Sequence, residues 1–342
     1  MLKKLILSCF IFLILLTPNK TFAQTEYYPL TEESTFLTFP EWYIVFSAQE
    51  YAQFLKDSGR PSQFQYLDSI KTYWVTYYKV TKATIDKGYP FNFGNHLMLG
   101  VIGVSYTGEY LFKAAYEGTV GAWSEKSANY EPTFEDLFAQ KTAEEYGQFL
   151  THTPWYDFPF HQKLQDLWTQ TPALSKSFNR SIERKIALSI EYEFKAIYGA
   201  LMRYGTNSVY APAKPEVTVI TSVIPKDILE KEPEIKVIEA TGSANMSITL
   251  PRYKKFSEIV PGLLRQNVQF FEIEGNDVIL ITITGDKNWV NTIPNAELLF
   301  ETPIYSNKDS KRTALLVPVK NLQSVAMELE NQQQSIEHLF DY

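Results

Sequence analysis

Thr38-Phe-Pro-Glu-Trp-Tyr-Ile-Val-Phe-Ser-Ala-Gln-Glu-Tyr-Ala-Gln-Phe-Leu55 aligns without a gap on Thr133-Phe-Glu-Asp-Leu-Phe-Ala-Gln-Lys-Thr-Ala-Glu-Glu-Tyr-Gly-Gln-Phe-Leu150, with eight of eighteen positions identical. Further on, Glu109-Tyr-Leu-Phe-Lys-Ala-Ala-Tyr116 matches Glu191-Tyr-Glu-Phe-Lys-Ala-Ile-Tyr198 at six of eight. The two motifs recur in the same order. Residues about 38–120 and 133–205 are therefore expected to be two copies of one helical unit, packed around an approximate two-fold axis.

The N-terminus reads as an export signal. Lys3 and Lys4 precede an apolar run from Leu5 to Leu16 broken by Ser8 alone; Pro18 ends it, and Thr21-Phe22-Ala23 offers a small-residue cleavage site. The run is shorter than the roughly 20 residues that span a bilayer. Residues 1–23 are expected to be a signal peptide, with an uncleaved inner-membrane anchor as the alternative. Cys9 is the only cysteine of the 342-residue chain. Cleavage thus leaves no disulfide, thiol nucleophile or cysteine metal site. The formal charge is −7, and −10 without Lys3, Lys4 and Lys20. An acidic chain without a basic run argues against nucleic acid and against polybasic membrane attachment.

Aromatic density divides the rest. Residues 24–210 hold 39 Phe, Trp and Tyr, and residues 211–342 hold nine. Residues 24–210 are expected to form a duplicated, aromatic-rich helical bundle. Helix starts are sought at Thr38/Glu41, Ser47/Glu50, Ser62/Gln65 and Thr142/Glu145, all with capping-box spacing. Leu97–Gly118 is apolar all round in its first half, as suits a buried central helix, and Gly100, Gly103 and Gly108 call for close helix approach. Ser181–Tyr204 carries Ile186, Ile190, Phe194, Ile197 and Leu201 on one face. Pro212, Pro215, Pro225 and Pro233 mark 211–234 as a linker. Beyond it, 235–342 alternates β-branched runs with two helical stretches. Glu274-Gly-Asn-Asp277 reads as a hairpin, and the whole as an α+β domain with a mostly antiparallel sheet, ferredoxin-like in style.

Chemistry is sought first in Glu109/Lys113 and Glu191/Lys195, each an i,i+4 pair in the favourable order. If the two stripes face each other, with Glu117 extending the first, they form a buried charged network with perturbed pKa values. Glu193 projects beside the apolar face and needs a partner, sought in Lys113 or His96. Trp74 and Tyr78 are candidates to line an apolar pocket. His96, His152, His161 and His338 lack zinc spacing, and no phosphate loop or dinucleotide fingerprint occurs. No cofactor is expected.

The leading expectation is an exported bacterial cell-envelope protein, non-enzymatic, that binds a lipid, another apolar ligand or a protein partner between its helical repeats. A partner chain could also add to the edge of the C-terminal sheet. One alternative is an acid–base hydrolase using Glu109, Glu193 and His96. The other is a membrane-tethered assembly factor.

Overall fold

A computed structural model describes residues 36–172, 177–209, 215–239 and 245–341. The segment read as a signal peptide lies outside the described residues. The helical part comprises α1 (Phe39–Lys56), α2 (Tyr66–Asp86), α3 (Phe93–Tyr116), a π-helical turn (Glu117–Gly121), α4 (Ala122–Ser127), α5 (Phe134–Phe149), α6 (Phe160–Gln170) and α7 (Phe178–Val209). Local chemistry sets these bounds. Pro40 occupies the first turn of α1, where its missing amide costs no helical hydrogen bond. The Asn92 side chain accepts from the Asn95 amide at 3.1 Å to cap α3. Thr133 and Asp136 make a reciprocal capping box on α5. Gly88, at φ 83°, follows the end of α2. The boxes expected at Ser47/Glu50 and Thr142/Glu145 fall instead inside α1 and α5, because both helices begin about two turns earlier.

The C-terminal part runs β1 (Glu216–Ser222), α8 (Lys226–Lys231), β2 (Lys236–Glu239), β3 (Asn245–Pro251), α9 (Lys254–Arg265), β4 (Phe270–Ile273), β5 (Val278–Asp286), β6 (Glu297–Ile304), β7 (Asn307–Pro318), α10 (Leu322–Asn331) and β8 (Ser335–Leu339). It holds two antiparallel four-stranded sheets, ordered β2-β3-β1-β4 and β6-β7-β5-β8, where one sheet was expected. The stretch 211–234 is likewise more than a linker. It supplies β1, an inner strand of the first sheet, with Val217 and Val219 buried. Glu274-Gly-Asn-Asp277 turns the chain from β4 to β5 in the other sheet, so it is not a hairpin within one sheet.

Strand β5 explains how the layers stack. Ile279, Ile281 and Ile283 enter a core shared by both sheets, α9 and α10. Leu280, on the opposite face, joins Phe300, Ala314, Leu316 and Phe340 against the aromatic side chains of α1–α3. Burial on both faces is what makes Val278–Thr284 an unbroken run of apolar residues and threonines. The second sheet thus belongs to the core of the first helices. Glu50 of α1 accepts from the Tyr305 amide at 2.8 Å and meets Arg312 of β7 at 2.9 Å. The Trp42 and His338 rings lie 3.7 Å apart. A separate, smaller core joins α5–α7 around Phe158, Phe160, Leu167, Leu188 and Tyr192.

Among the three glycines of α3 expected at a close helix contact, one fits. A Cβ on Gly103 would run into Tyr73 and lie 2.9 Å from the Trp74 ring, whereas Gly100 and Gly108 face open space.

Asp341, just beyond β8, is buried, accepts from the Tyr253 amide at 3.2 Å and lies 3.9 Å from Arg252. Burial pushes its carboxyl up to about 6, and burial likewise carries half-buried Glu41 of α1 to about 7. Both folded values exceed the unfolded ones. Their contribution is fully present below about pH 4 and is lost as pH rises through 6 to 7. Melting curves from pH 4.5 to 8 are expected to show Asp341→Asn flattening this decline by on the order of 2 kcal/mol. Parallel curves for the two proteins would refute the assignment.

Candidate functional site

Helices α3 and α7 run antiparallel. Ser105 meets Tyr198 at 2.9 Å, Glu109 meets Lys195 at 2.9 Å, and Lys113 meets Glu191 at 2.9 Å. Within the helices, Glu109–Lys113 spans 3.2 Å and Glu191–Lys195 3.0 Å. Four of the candidate residues therefore close into one ring of alternating charge. Lys113 stands over the Tyr51 ring of α1 and Lys195 over the Tyr146 ring of α5, each at 5.1 Å. Burial alone would raise the Glu109 and Glu191 carboxyls, but the two lysines outweigh it and hold both below the usual range. Burial would lower the lysines, and the two glutamates raise them instead. Proton transfer near neutral pH needs a group that changes charge there. This ring stays ionised.

A second network extends the first. The π-helical turn after α3 places buried Glu117 at 2.8 Å from Arg184 of α7. Arg180, one turn earlier, holds Asp136 at 2.7 Å and Glu183 at 3.0 Å, and donates to Ser124 at 2.7 Å. Lys185 sits 3.7 Å from fully buried Glu135 and donates to the Pro172 carbonyl at 2.8 Å. Burial would raise Asp136, but Arg180 and then Arg184 outweigh it and draw its carboxyl below the ordinary value. Sequence reasoning missed Arg180, Arg184, Lys185 and Asp136 as members of a site. A signal existed: Arg180, Arg184, Glu191 and Lys195 recur at helical spacing, as the apolar residues of α7 do.

The structure resolves which stripe of α7 goes inside. The polar stripe is buried in ion pairs. Ile186, Ile190, Phe194, Ile197 and Leu201 face outward, Phe194 at 68% exposure and Ile190 at 57%. On α3, Val104 is 66% exposed and Phe112 62%, so the helix expected at the centre of the bundle presents one side to the surface. The physical reason is the set of partners. Glu109, Glu117, Glu125, Glu135 and Asp136 on neighbouring elements, with the Tyr146 ring, satisfy the cations of α7 inside, and buried charges need such partners more than isoleucines need burial.

The remaining candidates are dispersed. Glu193 is exposed at the margin of this face, 3.8 Å from His161, rather than beside Lys113 or His96. His96 stacks on Phe91 at 4.3 Å and meets the Tyr77 hydroxyl at 2.8 Å. Trp74 packs between α2 and α3 and donates to Thr107 at 2.9 Å, while Tyr78 is exposed. Glu109, Glu193 and His96 thus each have different partners. Two cavities of about 310 and 290 Å³ lie elsewhere, the first by Lys87 and Glu297 and the second between α2 and β6. No protein-family model, curated protein or solved structure matches the chain.

Proposed function

We propose that this chain is an exported, non-enzymatic protein of a bacterial cell envelope whose helical part binds an apolar or amphipathic partner. The binding surface is the outer face of α3 and α7. One observation carries the reading: a stripe of large apolar side chains from Ile182 to Leu201 stands at the surface, while charged residues of the same helix lie inside. Contiguous exposed apolar patches mark interaction sites. Export rests on Lys3, Lys4 and the run Leu5–Leu16.

The scaffold is, in this reading, a tandem copy of one helical unit. Matched aromatic contacts support it: Tyr51–Phe64 and Tyr146–Phe158 at 5.0 and 5.1 Å, and Phe64–Tyr66 and Phe158–Phe160 at 5.0 and 4.8 Å. The two sheets are read as ferredoxin-like in style, because each orders its strands alike and crosses over one helix before its last strand. Edge strand β8 offers a place for another chain to add. The hydrolase alternative is the weaker reading, since its three residues are not neighbours.

The pair of changes Ile190→Glu and Phe194→Glu tests the binding face. Both sites are exposed, so the melting temperature is expected to stay within about 2 °C of the parent. Native mass spectrometry and sedimentation are expected to show retained apolar ligand or self-association lost. Unaltered association would defeat the reading.

A further inference from the structure

We infer that the occupant of the α3–α7 face is the surface of a lipid bilayer, with the helix pair lying flat and its outer stripe in the acyl region. This rests on the preceding reading of that face as a binding surface. Three observations select lipid over a protein partner.

The first is charge. Glu109, Lys113 and Glu117 at the C-terminal end of α3, and Arg180, Arg184 and Lys195 of α7, all engage ion pairs on the inner side. Glu193, at the margin beside His161, is the exception. The second is the scarcity of directional groups. The Ser105 hydroxyl is engaged with Tyr198, and Thr119 donates back to the Ala115 carbonyl at 2.6 Å. Protein interfaces carry roughly one hydrogen bond per 100–200 Å² and a polar rim. A hydrocarbon phase asks for neither.

The third is the arrangement of aromatics. Antiparallel packing puts exposed Trp123 and Phe178 toward one end of the pair, and exposed Phe93 and Tyr204 toward the other. The Trp123 indole and the Tyr204 phenol are amphipathic and suit the level of lipid headgroups, while Phe93 and Phe178 add to the apolar surface. Between them the α7 stripe from Ile182 to Leu201 is about 28 Å long. Among the described residues no helix is long and apolar enough to cross a membrane. The inner sides of both helices also carry the ion pairs and the rest of the fold. Flat docking, with the apolar side about 5–10 Å deep, satisfies both facts. With Lys113, Arg180, Arg184 and Lys195 turned inward in ion pairs and Arg203 paired with Asp157 at 2.8 Å, attachment would be hydrophobic and indifferent to salt, and neutral lipid would suffice.

The test uses the full chain with Cys9→Ser and an environment-sensitive fluorophore on Ile190→Cys or Val104→Cys, with Leu67→Cys of α2 as the control site. Phosphatidylcholine vesicles carrying acyl-chain quenchers are added at about 0.1 and about 0.5 M salt. Several-fold quenching at 190 and 104, equal at both salt levels and slight at 67, is the expected result. Equal quenching at 67, or quenching abolished by salt, overturns the flat hydrophobic docking. Labels shielded without lipid only at high protein concentration assign the face to a second copy. Labels shielded without lipid at every dilution assign it to the chain's own Leu5–Leu16 segment. Both of these outcomes overturn the bilayer and keep the binding face. Labels open to aqueous iodide with and without vesicles sink both the bilayer and the binding face.

Discussion

Arg312→Met is expected to lower the melting temperature by about 6 °C, one of the two largest single-residue effects argued for this fold. Arg312 is 2% exposed on β7. It meets Glu50 of α1 at 2.9 Å and holds Glu337 of β8 with two donors, one at 2.8 Å, while its guanidinium lies 4.2 Å from the Phe46 ring. Methionine keeps much of the packing volume and deletes the charge. Glu50 is then left buried with no counter-ion, a change that costs about 3–5 kcal/mol, at about 1.5 °C for each kcal/mol in a chain of 342 residues. The loss carries a pH signature. Burial already raises the Glu50 carboxyl and Arg312 restrains that rise, so removing the arginine raises it further. A group raised in the folded state contributes stability that is full below its unfolded pKa, near 4.3, and is lost as pH rises through the folded value. The deficit of the variant is therefore expected to be larger at pH 8 than at pH 5. Adding Glu50→Gln is expected to recover part of it. A variant melting within 2 °C of the parent at pH 8 would show that the charge is not needed there.

Arg180→Met is expected to cost a similar amount, but locally. Its removal leaves Asp136 and Glu183 to Arg184 and strips two hydrogen bonds, from Ser124 and from the Gly121 carbonyl. The π-helical turn and α4 are tied to α7 through these contacts. Amide exchange is expected to accelerate at residues 117–127 and around 180–184 before the sheets respond, alongside a global loss of about 3–5 kcal/mol. Arg180→Lys should fall between the two, because an ammonium restores charge without the planar fork that reaches Asp136 and Ser124 together. Uniform exchange across the chain would contradict this local role.

Much of this was legible in the residues. The repeated Glu-Tyr-x-Phe-Lys-Ala-x-Tyr motif does bring Glu109, Lys113, Glu191 and Lys195 together, and the aromatic drop near 210 coincides with the change from helices to sheets. Orientation was not legible. Helix α7 carries two stripes at compatible spacing, and periodicity alone does not say which one is buried. That choice is made by Glu109, Glu117, Glu135, Asp136 and Tyr146, whose nearness to α7 is a tertiary fact. The sheets were blurred for a related reason. Glu274-Gly-Asn-Asp277 has hairpin composition, with Glu274 and Gly275 both at positive φ, yet such a turn serves equally to hand the chain to another layer. The three acid–base candidates were joined only by residue type, and distance dissolved the group.

The second sheet is clad on its back by α1–α3, so the proline-rich stretch is a poor place to cut. A fragment ending near residue 209 would expose Phe39 where it now meets Phe300 at 4.7 Å, and the complementary piece would bare Leu280, Leu316 and Phe340. Each half would carry a wet, sticky wound shaped for the other. Severed pieces should seek reunion rather than independence, and deletion mapping across that boundary would report on misassembly before it reported on activity.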